Sequence, residues 1–188
     1  MKTLVAIVLV ALALPAAASA HAHVSPPFGV KGESQVWTLA VPTEKEGLRT
    51  TQIEFSPPSG FSIDSFVPSP GWKRVVQQRG SGEDAVVTKV TWTGGAVPTG
   101  EDAAFSFLGS AASTRTYTFG VRQTYSDGSV VDWNGPESSD TPSPTIDVRS
   151  SLGGGSSSTL AIIALVVAAV AAVLAGVSLV ARGGRTLA

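Results

Sequence analysis

The feature that most constrains this chain is a period of two. Nine short stretches between residues 35 and 149 alternate apolar with polar side chains, and each is interrupted by glycine, proline, serine or aspartate. Gln35 to Val41 stops at Pro42, Thr51 to Phe55 at Pro57-Pro58-Ser59-Gly60, and Phe61 to Val67 at Pro68 and Pro70. Trp72 to Gln78, Ala85 to Thr93, Ala103 to Leu108, Thr116 to Tyr125, Ser129 to Trp133 and Thr145 to Arg149 follow. A strand turns successive side chains to opposite faces, so each stretch predicts a strand with one buried face. Their number and spacing predict an all-β sandwich or Greek-key barrel. Asp127-Gly128 supplies the positive φ of a tight hairpin between two of them. Trp37, Trp72 and Trp92 lie within alternating stretches and are expected in the core. Trp133, between polar neighbours and close to Gly135-Pro136, is expected at the rim.

Two apolar runs bracket this region. Lys2, the run Leu4 to Leu14, and the small residues Ala16 to Ala20 after Pro15 have the layout of a secretory signal, and residues 1–22 are read as one. Leu160 to Val180 is uncharged and about 21 residues long, enough to cross a hydrocarbon core of about 30 Å as a helix. Arg182 and Arg185 follow, which places the tail 182–188 in the cytoplasm and residues 160–181 across the membrane. Residues 150–159, rich in serine and glycine, form a flexible tether with a reach of roughly 15–18 Å. The expected product is a single-pass membrane protein whose domain, residues 23–149, lies outside the cytoplasm.

Of the 13 basic residues, Lys2, Arg182 and Arg185 fall outside that domain, which leaves ten against all 14 acidic ones. An acidic surface argues against a nucleic-acid partner. The chain has no cysteine, so its hydrophobic core must hold the domain without disulfides.

Chemistry is confined to one tetrapeptide. His21 and His23, in Ala20-His21-Ala22-His23, are the only histidines, and the only methionine is Met1. Neither a Ser-His-Asp nor a Cys-His arrangement can be assembled further along, so no enzyme is expected. A copper polysaccharide oxygenase also begins with a histidine, but it needs a second, internal one. Without cysteine or internal methionine a blue-copper or Cu(I) thiolate site is excluded as well, and copper held here should be Cu(II) on nitrogen and oxygen donors. Signal peptidase favours small residues at −3 and −1, and two cuts satisfy it. A cut after Ala22 leaves His23 first, with its amine and Nδ1 able to close a ring on one metal. A cut after Ala20 leaves His21-Ala22-His23, whose amine, two backbone amides and third-position imidazole can form a square-planar nitrogen set for Cu(II) or Ni(II).

The stretch His23-Val24-Ser25-Pro26-Pro27 and the later run Trp37-Thr38-Leu39-Ala40-Val41-Pro42-Thr43-Glu44-Lys45 resemble the opening of the YcnI-like family. The likeness continues through Pro70-Gly71-Trp72, Val90-Thr91-Trp92-Thr93-Gly94-Gly95 and Phe105-Ser106-Phe107. It extends to Gln123 through Gly135 and to Thr141-Pro142-Ser143-Pro144, in order over residues 23–149. The resemblance implies a cupredoxin-like sandwich or barrel without a blue-copper centre. It also implies a Cu(II) site on a mature N-terminal histidine, which here is His23, with an acidic ligand and a tryptophan beside the metal. Glu44 is the expected acidic residue, Asp132 the second choice, and Trp133 the expected tryptophan. Asp132 should face away from Trp133 across the sheet. On this reading the chain takes up, buffers or passes on copper, with a membrane copper transporter or another chaperone as partner. The competing expectation is an immunoglobulin-like surface or adhesion module whose N-terminus is incidental.

Overall fold

A computed structural model describes residues 21–152, 162–169 and 171. The strands are β1 (His23–Ser25), β2 (Phe28–Val30), β3 (Gln35–Pro42), β4 (Arg49–Ser56), β5 (Phe61–Phe66), β6 (Lys73–Arg79), β7 (Val86–Pro98), β8 (Asp102–Ala111), β9 (Thr116–Thr118), β10 (Gly120–Tyr125), β11 (Val130–Trp133) and β12 (Thr145–Arg149). A sheet of four has the order β1-β3-β8-β5, a sheet of five the order β11-β10-β4-β7-β6, and β2-β12-β9 form a third. Pairing is antiparallel except between β12 and β2.

The period-two pattern explains how the two larger sheets close on each other. In β8, Ala103, Phe105, Phe107 and Ala111 are buried, while Asp102 and Ala104 are exposed. The register sets Leu39 opposite Phe105 and Trp37 opposite Phe107 on the same face. That face meets the five-stranded sheet through aromatic rings. Trp92 of β7 stacks on Phe105 with centroids 4.2 Å apart, and Phe55 of β4 lies 5.4 Å from Phe107. Phe55 also stacks on Phe119 at 5.2 Å. Such contacts add to the stabilisation from area burial. Trp72 lies flat over β7 at Gly95, where a Cβ would fall 2.0 Å from the ring, so that position must be glycine.

The predicted strands are present, with three differences. The stretch 116–125 divides into β9 and β10, which belong to different sheets. β1 and β2 were not predicted. Pro26 and Pro27 interrupt the alternation between them, and the two halves pair with different partners, β3 and β12. Trp133 is not at the rim but fully buried in the core.

Core residues of the sandwich run from Ala22 to Val148, so the domain encloses its own hydrophobic interior. A second compact unit begins at Leu152. In it, residues 162–169 are helical, and Ile162, Ile163, Leu165, Val166 and Val167 are exposed. Among the described residues no helix is long and apolar enough to cross a membrane. The rest of the span expected at 160–181, residues 1–20 of the expected signal, most of the tether and the tail 182–188 lie outside the described residues.

Candidate metal site

β1 is an edge strand, and its register sets His23 opposite Ala40, Val24 opposite Leu39 and Ser25 opposite Thr38. Moving from His23 towards the N-terminus therefore runs along β3 towards Pro42 and the connection that follows it. Ala22 and Val24 are buried, so period two turns the intervening His23 outward, where it is exposed. His21 lies on the same side, and its carbonyl oxygen is 3.1 Å from His23 Nδ1.

Glu44 is in the β3–β4 connection, two residues past Pro42. The residue is exposed, yet partial desolvation holds its carboxyl above the ordinary carboxylate range. The charge of His21 acts against that shift, and Asp140 adds to it. His21 and Asp140 are thus near enough to Glu44 for their charges to act on it, while His23 lies further along β3, opposite Ala40. Alongside is an open groove of about 710 Å³, whose lining includes His21, His23, Ser25, Thr118, Glu137 and Asp147.

The connection carrying Glu44 is held from several sides. Thr43 N–H donates to Glu101 O at 3.0 Å, and Gly100 N–H donates to Thr43 O at 3.0 Å. Lys45 Nζ donates to Ser129 Oγ at 2.7 Å and sits 4.8 Å over the ring of Tyr125. Burial holds the Tyr125 hydroxyl above its ordinary range, and the backbone amides of Glu44 and Lys45 act against that shift.

Trp133 does not offer its indole nitrogen to a metal. Its Nε1–H donates to Gln123 Oε1 at 3.0 Å, which is how a buried tryptophan satisfies its one polar atom. Asp132 is exposed on the opposite face, as alternation requires, with its carboxylate 3.8 Å from Arg122 Nη1. Among the described residues no group of three or more His, Cys, Asp or Glu side chains converges as a metal cage. A site here would combine side chains with the amine of a chain end, water or backbone.

Sequence reasoning missed Asp140 and Glu137, both in the β11–β12 connection. That segment folds back on itself, with Gly135 N–H donating to Thr141 O at 3.0 Å and Ser143 N–H donating to Gly135 O at 3.0 Å. No local pattern reveals that such a loop brings Asp140 towards Glu44. Gln123 was also passed over, although its signal was present: it occupies an inward position between Val121 and Tyr125.

The structure is a cysteine-free β-sandwich with one histidine on its first strand and another two residues before it. The family profile described as a domain of unknown function, DUF1775, matches residues 21–148, and the chain belongs to this family, the YcnI-like one. It is 33% identical over 138 residues to the copper-binding protein CutI of Bacillus subtilis (strain 168), a match that covers 72% of this chain and 65% of that protein. The chain thus spans a little under two thirds of that relative's length. An uncharacterized protein from Nocardia farcinica, whose crystal structure reveals an immunoglobulin-like fold, is 30% identical with a TM-score of 0.58. That match covers 68% of this chain and 97% of the Nocardia protein. The sandwich is accordingly immunoglobulin-like.

Proposed function

We propose that this protein binds one Cu(II) ion outside the cytoplasm through the amine and Nδ1 of His23 and the carboxylate of Glu44, with water completing the site. One observation supports the reading: the β1–β3 register runs from His23, opposite Ala40, towards Pro42 and the connection that carries Glu44, on which the charge of His21 acts. Removal of residues 1–22 would take His21 away, and a metal cation would supply positive charge in its place. The donor chemistry fits Cu(II), being nitrogen and oxygen with no sulfur. The α-amine titrates near 7.7–8.0 in model peptides, so a metal displaces few protons from it at neutral pH. The similarity to a copper-binding relative supports the same metal.

Trp133 belongs to this site as its support from beneath rather than as a ligand. The role is binding rather than catalysis. A signal at 1–22, a tether at 150–159 and a span at 160–181 would hold the domain close to a membrane, suited to buffering copper or passing it to a transporter or chaperone.

Glu44→Gln keeps the shape of the side chain and removes its charge. Cu(II) affinity, read by competition titration, is expected to fall by at least the roughly 10–100-fold that loss of even an outer partner costs. An unchanged affinity together with an unchanged electron paramagnetic resonance spectrum would remove Glu44 from the ligand set.

A further inference from the structure

We propose that Gln123 is the positioning residue of the copper site, setting the place of Glu44 through a buried chain of hydrogen bonds. The inference rests on the copper reading above. Among the described residues only three polar side chains are buried, namely Thr43, Thr50 and Gln123, and all three belong to one network. Gln123 accepts from Trp133 Nε1 at 3.0 Å. Its Nε2 donates to Pro42 O at 2.9 Å and to Thr50 Oγ1 at 2.7 Å. Thr50 Oγ1 lies 2.7 Å from Thr43 Oγ1, and Thr43 immediately precedes Glu44.

The partners fix the orientation of the amide. An indole N–H can only donate and a carbonyl oxygen can only accept, so Oε1 must face Trp133 and Nε2 must face Pro42. Thr50 Oγ1 accepts from Gln123, and either hydroxyl can donate in its hydrogen bond with Thr43 Oγ1. A continuous chain of hydrogen bonds therefore runs from Trp133 on β11 through Gln123 on β10 and Thr50 on β4 to Thr43, just past β3.

The shape of the core at this position does not by itself call for an amide. Position 123 points inward between Val121 and Tyr125, where an apolar residue of equal length would fill the same volume. A buried amide costs desolvation unless it is fully bonded, and a satisfied network fixes a unique local arrangement. Here the fixed element is the Pro42–Thr43 backbone at the base of the Glu44 side chain. Trp133 on β11 is thereby tied to the residue before Glu44 in the β3–β4 connection.

The test uses the exported and processed chain, its His23 start verified by mass spectrometry, with Cu(II) as the probe. Gln123→Met keeps length and removes the amide, while Thr50→Val is isosteric and removes one link. Ile63→Ala weakens the core on β5, where Ile63 pairs with Gly109 at the far end of β8 from Asp102. Affinity, the electron paramagnetic resonance spectrum and the thermal midpoint are measured on each. Gln123→Met and Thr50→Val are both expected to weaken Cu(II) binding about tenfold and to shift the g and hyperfine values. Ile63→Ala is expected to lower the midpoint and leave the copper parameters unchanged.

Wild-type affinity and spectrum in Thr50→Val and in folded Gln123→Met would overturn the proposal. So would an equal loss of binding in Ile63→Ala, which would make the effect one of general stability. If Gln123→Met does not fold, Thr50→Val alone decides. A wild-type chain that takes up no copper would instead overturn the copper reading, and this inference with it.

Discussion

His23→Ala is expected to lower Cu(II) affinity by roughly 10²–10⁴-fold, the range lost when one arm of a two-point attachment is removed. The imidazole and the amine sit on the same residue, so the first bond brings the second donor to a high effective concentration. Loss of the ring leaves a lone amine and Glu44, which have no covalent link to hold them together. The fold should not respond. His23 is exposed on an edge strand, and buried Val24 together with the pairing to β3 holds β1 in register. Stability should therefore stay within about 0.5 kcal/mol of wild type, as surface substitutions usually do. Competition titration and chemical denaturation on the same preparation check both halves. A loss of binding accompanied by a comparable loss of stability would mean that the histidine acts on the strand and not on the metal.

Trp133→Ala should have the largest effect on the fold. The side chain is fully buried in the main core, and truncating a buried tryptophan costs about 3–5 kcal/mol. It also leaves Gln123 Oε1 without its donor, an orphaned buried acceptor worth a further ~1–3 kcal/mol. Trp133→Phe separates the two terms, since it restores most of the volume but not the N–H. It should recover most of the stability and still show the cost of the missing hydrogen bond. Denaturant midpoints measure both, provided the slope is unchanged. A loss under 1 kcal/mol for Trp133→Ala would contradict the burial and the hydrogen bond together.

The strands were legible because alternation reports directly on a half-buried sheet. Phe105 and Phe107 of β8, or Ile53 and Phe55 of β4, are buried as their spacing requires. Legibility failed where tertiary context overrode local pattern. Nothing in the run 116–125 shows that Phe119 marks a change of sheet, with its N–H donating to Pro144 O instead of to a neighbouring strand. Trp133 was misjudged because its neighbours Asp132 and Asn134 are polar, which alternation permits for a residue facing inward. The expectation that Glu44 joins His23 came from a family resemblance. The β1–β3 register, which leads from His23 towards the connection that carries Glu44, depends on a three-residue strand too short to be seen by periodicity. Asp140 was illegible for the same kind of reason, since a folded-back loop carries no period.

The most direct measurement is a Cu(II) titration followed by electron paramagnetic resonance on the chain beginning at His23, beside one that begins at Ala22. One added residue turns the amine of His23 into an amide and moves the free amine to Ala22, so the amine–imidazole ring on His23 can no longer form and any copper held must sit in a different donor set. The account predicts one-to-one binding by the first and a collapse of that binding, with a changed spectrum, in the second. Equal affinity and identical spectra in both would contradict an amine-and-imidazole copper site.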